Sequence, residues 1–246
     1  MRNVYKNAPI EEALCEFRFS GAEWDLTIPG RLRDRLPDYP GKPRQQNVFQ
    51  ATLGMSGPGS QPAFEMAQSY GKVQLPSADG KRLVAVGENV LSVHILRPYS
   101  RWELFRPKIE EALTAYLGLL AAKPTISRVG VRYINKVVIP KSDVRPSEYF
   151  RCSNGTIEGI DARPTSFVSR NEYSYDADTK LISTYATIDA AAGSSGYLLD
   201  LDVIWEGREA RDPAGIMTVV DGLRDRERSA FEAAILDPLR DLFNAD

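Results

Sequence analysis

Apolar and polar residues alternate over the first well-patterned stretch of the chain, residues 10–19. Ala13, Cys15, Phe17 and Phe19 fall on one side at a period of two, while charged residues occupy most of the other side. This alternation predicts a strand with one buried face. The same alternation returns at residues 127–139, which predicts a second strand of this kind.

Two stretches carry apolar residues at helical spacing instead, residues 101–121 and 226–243. Each predicts a long amphipathic helix. Ser100 and Glu103 have the spacing of a capping box, which predicts a start for the first helix near residue 101. Pro107 and Pro238 fall inside the two patterns, where proline bends or ends a helix.

The remaining pattern predicts a short helix at residues 31–36 and strands separated by short turns. Short connections join antiparallel strands. We therefore expect an α+β fold, with a largely antiparallel sheet and two long amphipathic helices on one face. The order strand, helix, strands, long helix occurs in residues 1–123 and again in residues 124–246. This repetition predicts a pseudo-twofold duplication within one continuous domain.

Composition narrows the functional classes. The chain has 246 residues, with 31 Lys and Arg against 33 Asp and Glu, so overall charge gives no reason to bind nucleic acid. Two cysteines and one histidine make a zinc finger or a His-rich metal site untenable, and we interpret His94 as structural. No phosphate-binding glycine loop and no nucleophile elbow occur in the sequence. We assign no catalytic residue, no metal and no cofactor.

Two polar stripes are the candidate binding residues. Arg128, Arg132 and Lys136 lie on one side of the predicted strand 127–139, and Asp200 and Asp202 lie on one side of the predicted strand 197–205. The cations would suit a phosphate backbone or an acidic partner, and the paired acids a divalent ion or a shared proton. The favoured interpretation is that cations and acids, with Glu12 and Glu16, pair across the sheet.

Three segments carry a family resemblance. They are Asn7-Ala8-Pro9-Ile10, Arg132-Tyr133-Ile134-Asn135 and Phe231-Glu232 in the predicted terminal helix. In this order they resemble a sporadically distributed, uncharacterised bacterial protein family of about this length. Its patchy distribution is similar to that of defence or toxin–antitoxin genes, and it provides no catalytic residues to carry over. The histidine that often precedes the last helix in that family is missing around Leu223-Arg224-Asp225.

The resemblance and the missing motifs lead to one expectation and two open alternatives. We expect a non-enzymatic binding or regulatory protein in a bacterial defence or toxin–antitoxin module, with a protein partner or self-association as a dimer. One alternative is a nucleotide or nucleic-acid binder that uses the basic strand face. The other is a metal-dependent enzyme that uses Asp200 and Asp202. No stretch is apolar enough to span a membrane, and the start has no signal-peptide pattern, so the cytoplasm is the expected location.

Overall fold

The computed structural model describes residues 4–45, 71–122, 124–152, 164–207 and 213–245, and the backbone alone of residues 48–54 and 63–69. The helices are α1 (Ile28–Asp34), α2 (Trp102–Leu117), α3 (Pro213–Ala234) and α4 (Asp237–Asn244). The strands are β1 (Ile10–Ser20), β2 (Arg44–Gln45), β3 (Val48–Gly54), β4 (Ala63–Ser69), β5 (Val73–Pro76), β6 (Arg82–Gly87), β7 (Val90–Leu96), β8 (Thr125–Ile139), β9 (Val168–Ser174), β10 (Thr179–Ile188) and β11 (Ser195–Glu206). No helix within these ranges is long and apolar enough to cross a membrane.

Nine strands form one sheet in the order β2-β5-β6-β7-β1-β8-β11-β10-β9, while β3 and β4 pair separately. Every pair of neighbours in the nine-stranded sheet is antiparallel. The predicted α+β class with a largely antiparallel sheet is therefore confirmed. The two strands with the clearest alternation, β1 and β8, pair at the centre, with Cys15 opposite Val131.

The core follows from the alternation of the central strands. Ala13, Cys15 and Phe17 of β1 are fully buried and join one apolar cluster with residues of α2 and α3. α2 packs against β7, and α3 packs against β8 and β11. The two helices also contact each other, where the Arg106 guanidinium donates to both carboxylate oxygens of Asp221 at 2.9 and 3.0 Å. α2 thus covers β7, and α3 covers β8 and β11, through their apolar sides.

The first and the last predicted helix and one predicted helix cap differ from the structure. α1 begins at Ile28, with Pro29 in its first turn, where the missing proline N–H costs nothing. The N-cap of α2 is Arg101, and no side chain caps this end, so the capping box predicted from Ser100 was wrong. The predicted terminal helix is two helices, because α3 already begins at Pro213 and α4 starts again with Pro238 in its first turn.

Candidate functional site

A cleft of about 400 Å³ opens where four parts of the chain meet. Its walls come from the N-terminal segment 4–10, the junction of β7 and α2, strand β8, and the second half of α3. This volume lies in the range of pockets that bind small molecules. We call this feature the cleft, and its walls mix aromatic, apolar and charged side chains.

The local pattern of α3 puts charge into one wall of the cleft. Val220, Leu223, Glu227 and Phe231 follow one another at spacings of three and four, and all four are buried. Residues at these spacings share one side of a helix. Glu227 therefore occupies a position at which the helix pattern calls for an apolar side chain. Arg224 lies one turn earlier on the same side of α3, next to Leu223.

Arg224 and Glu227 form a buried ion pair in this wall. The Arg224 Nη1 donates to Glu227 Oε2 at 2.7 Å, and the two residues are only 9% and 3% exposed. The guanidinium lies over the ring of Tyr133, 4.6 Å from its centroid, and 5.8 Å from that of Trp102. The Nε of Arg224 is buried without a hydrogen-bond partner. A buried donor left unpaired is costly, so this arrangement is poorly optimised for stability alone.

A pair of tyrosines lies beside the ion pair. The hydroxyls of Tyr99 and Tyr133 are 2.7 Å apart, and their rings meet edge to face at 5.5 Å between centroids. Burial raises the pKa of Tyr99 to about 12 and that of Tyr133 well above its ordinary value, partly offset at both by the charge of Arg224. Both hydroxyls stay protonated at neutral pH and act as neutral hydrogen-bonding groups.

Glu227 is a titratable group in the wall of the cleft. Burial raises its pKa to about 7, against the opposing charges of Arg224 and Arg228. A carboxylic acid with this pKa exchanges its proton under physiological conditions. Perturbed groups of this kind concentrate at functional sites.

The β7–α2 junction supplies a strained backbone to the same cleft. Arg101 has φ 86° and ψ 155°, a region that residues with a side chain rarely adopt. Strain of this kind costs on the order of 1–3 kcal/mol and persists where the surroundings enforce it. Arg101, Trp102 and Glu103 all line the cleft, so the uncapped start of α2 lies in its wall.

The N-terminal segment closes the other side of the cleft. The Tyr5 hydroxyl donates to Glu232 on α3 at 2.9 Å, and its ring meets that of Phe243 on α4 at 5.5 Å. The backbone N–H of Asn7 donates to the carbonyl of Phe243, and the backbone N–H of Lys136 donates to the carbonyl of Pro9, each at 2.8 Å. This segment therefore ties β8, α3 and α4 together around the cleft.

The residues predicted from the sequence lie elsewhere, on a surface of the sheet that we call the polar sheet face. Arg128 Nη1 donates to Glu16 Oε1 at 3.0 Å, and Arg128 lies 3.7 Å from Asp202. Arg132 binds both carboxylate oxygens of Asp200, at 2.8 and 2.5 Å. Lys136 is exposed and makes no ion pair within the described ranges. The fold brings four of the five predicted residues together and leaves Lys136 apart.

This pairing weakens both alternatives drawn from the polar sheet face. The side chains of Arg128 and Arg132 are 22% and 40% exposed and already face acids, which leaves little free positive charge for phosphates. Burial raises the pKa of Asp202 to about 6, although Arg128 and Arg132 oppose the rise. The described residues contain no group of three or more His, Cys, Asp or Glu able to hold a metal ion. A binding role for these residues stays a prediction.

His94 belongs to the same face. Its Nδ1 lies 2.6 Å from Glu12 Oε1, and its Nε2 lies 2.8 Å from Ser92 Oγ. These contacts agree with its interpretation as a structural histidine. The bond to His94 also lowers the pKa of Glu12, more than burial raises it.

The candidate residues predicted from the sequence all lie on strands, so Arg224 and Glu227 on α3 were missed. Residues 224–228 are a run of charges that follows Gly222, and such a run is typical of a solvated segment. The available signal was the spacing of Val220, Leu223, Glu227 and Phe231, which places an acid within an apolar stripe.

Comparison with protein-family models and with curated proteins gives no match for this chain. The family resemblance therefore remains a prediction. The three segments on which it rests all contribute to the cleft, through Ala8 and Ile10, Tyr133 and Asn135, and Phe231 and Glu232. Segments more than 90 residues apart in the sequence thus share one site.

Proposed function

We propose that this chain is a non-enzymatic binding or regulatory protein whose ligand occupies the cleft. The observation that carries the proposal is the buried Arg224–Glu227 pair in the wall of a cavity of about 400 Å³. A buried ion pair contributes little net stability compared with apolar residues of the same size. Its position beside a cavity, and not within packed core, favours a role in binding.

The composition of the cleft favours binding over catalysis. The described residues that line it include no serine, cysteine or histidine, so they provide no Ser–His or Cys–His pair for covalent catalysis. Two tyrosines held neutral by burial, a buried arginine and three glutamates, Glu103, Glu227 and Glu232, provide hydrogen bonds and charge. These groups orient a ligand within an aromatic pocket.

The proposal is tested with a variant that fills the cleft and changes none of its charged residues. The Ala8→Trp variant would place a large side chain at the cleft wall, and Ala233→Trp adds the same side chain at an exposed position of α3. Each protein is incubated with a small-molecule extract of bacterial cells and measured by native mass spectrometry. We expect wild type and Ala233→Trp to gain the same mass, and Ala8→Trp to gain none. Equal gain in Ala8→Trp, or no gain in wild type, would contradict the proposal.

The cellular setting that we propose is the one implied by the family resemblance, a bacterial defence or toxin–antitoxin module in the cytoplasm. A partner protein or a second copy of the chain would then receive the regulatory signal. Native mass spectrometry with the products of neighbouring genes tests this setting. A chain that remains alone with each of these products and also stays monomeric would count against it.

We also propose that the fold is a pseudo-twofold duplication of residues 1–123 and 124–246, with α2 and α3 as one layer on the sheet. The strand order supports this, because β1 and β8 pair at the centre and their outer neighbours are β7, β6, β5 and β11, β10, β9. In each half the strand beside the centre leads into a helix, α2 or α3. The cleft lies where the start of α2 meets α3, between these halves.

A further inference from the structure

We propose that the cleft binds a small molecule that combines a planar ring with one oxyanion, a carboxylate or a phosphate. This inference rests on the proposed binding function and adds the chemical class of the ligand. Three properties of the cleft support it: its aromatic walls, its arrangement of positive charge, and the contact of Glu227 with Arg224.

The aromatic walls of the cleft favour a ligand with a planar ring. Tyr99, Trp102, Tyr133 and Phe231 line the cleft from three different elements. Their rings already contact one another or neighbouring rings, with Trp102 edge to face against Phe105 at 5.9 Å between centroids. Tyr99 and Trp102 are only partly buried and can offer faces and edges to a planar ligand at low entropic cost, whereas Tyr133, 1% exposed, packs against Tyr99. A flexible aliphatic ligand would leave these ring faces without a matching partner.

The positively charged groups of the cleft favour a ligand that carries an oxyanion. Arg224 is nine-tenths buried in the cleft wall, and its Nε has no partner. Arg101 also lines the cleft, exposed and without an ion pair in the described part of the chain. The first turn of α2 has no side-chain cap, and its first residues, Trp102 and Glu103, line the cleft. A buried arginine and an open helix start both favour an anion.

An incoming anion would compete with Glu227 for Arg224, because Glu227 already accepts a hydrogen bond from Arg224 Nη1. Negative charge beside Arg224 would raise the pKa of Glu227 further, so binding would take up a proton. The groups that act on Glu227 electrostatically come from α3, the β7–α2 junction, β8 and the turn after β9: Arg224, Arg228, Tyr99, Tyr133 and Tyr175. The other charged residues that line the cleft are Lys6, Arg101, Glu103 and Glu232. The affinity of an anion should therefore be higher at pH 6 than at pH 8.

Matched pairs of probes test the class of ligand. Isothermal titration compares indole-3-acetate with indole-3-acetamide, and adenosine 5′-monophosphate with adenosine, against the full chain. Each pair keeps the ring and removes the negative charge. We expect at least one anion to bind tenfold or more tightly than its neutral partner, as a charge-assisted hydrogen bond implies. The pair that responds tells carboxylate from phosphate.

Variants separate the contributions of charge and ring. Arg224→Met should abolish the preference for the anion, while Arg170→Met, which removes an exposed cation from β9 outside the cleft, should keep it. Trp102→Leu should weaken both members of a pair by about fivefold, because it removes stacking and no charge. If Arg224→Met fails to fold, the double variant Arg224→Met/Glu227→Gln removes both buried charges and serves in its place. Glu227→Gln alone should flatten the difference in affinity between pH 6 and pH 8.

The outcomes separate this inference from the proposed function. Neutral probes that bind as tightly as the anions, or an anion preference that survives Arg224→Met, would overturn the ligand class. If no probe binds while wild type still gains a mass from the cell extract, the class is wrong and the binding function stands. If neither occurs, both are wrong.

Discussion

Replacing Glu227 with glutamine should change how the stability of the protein depends on pH. The acid is 3% exposed, and burial raises its pKa from 4.5 to about 7 in the folded protein. Glutamine has nearly the same shape, and its amide oxygen still accepts a hydrogen bond from Arg224. The substitution therefore removes the titration and keeps the packing.

The sign and size of this change in stability with pH follow from the linkage between protonation and folding. The folded protein holds the proton of Glu227 more tightly than the unfolded chain does, so the stabilising contribution is complete below pH 4.5. It is lost as the pH rises towards 7 and beyond. One pKa unit corresponds to about 1.4 kcal/mol, so the shift predicts a loss of about 3 kcal/mol between pH 4.5 and pH 8.

Urea denaturation at half-unit steps from pH 5 to pH 8 measures this effect. The free energy of unfolding of wild type should fall relative to that of Glu227→Gln by about 2–3 kcal/mol over this range. Asp202 has a raised pKa of the same sign, and it is present in both proteins, so the difference between the curves isolates Glu227. The surface variant Glu110→Gln controls for the loss of one carboxylate. Parallel curves for wild type and Glu227→Gln would refute the reasoning.

Three further outcomes test other parts of the structure. Tyr133→Phe removes the hydroxyl that forms a hydrogen bond with the Tyr99 hydroxyl, and it should lower the free energy of unfolding, measured in urea, by about 1 kcal/mol. An unchanged free energy of unfolding would contradict this hydrogen bond. Arg132→Met and Asp200→Asn should each destabilise the protein, with a coupling energy of about 1 kcal/mol in a double-mutant cycle, and additive effects would contradict the pairing. Cys15 is fully buried with a raised thiol pKa, so mass spectrometry should find it unmodified by a thiol reagent until urea unfolds the chain.

Much of the sheet was predictable because its strands alternate. The alternation in β1 and β8 reflects one face packed on helices and one polar face, so period two was visible in the sequence. The two-residue strand β2 has no periodicity to detect. The order of the strands was beyond local pattern, because pairing of β1 with β8 joins residues far apart in sequence.

The cleft was much less predictable than the sheet. Its residues come from four separated parts of the chain, and no local spacing links Tyr99 or Tyr133 with Arg224. The start of α3 was missed because the charged run around Arg224 and the weak helix former Gly222 conceal the apolar stripe. By contrast, the polar sheet face was visible from the alternation of β8 and β11. The sequence thus indicated where cations and acids would meet, but not the site with the cavity.

The most direct measurement is the location of the bound ligand by NMR. Backbone amide chemical shifts of the full chain are compared with and without the molecule recovered from the cell extract. We predict that the largest changes fall in residues 4–10, 99–103 and 224–232, the walls of the cleft. Changes that concentrate instead around Arg128, Arg132 and Asp200 on the polar sheet face would contradict this account.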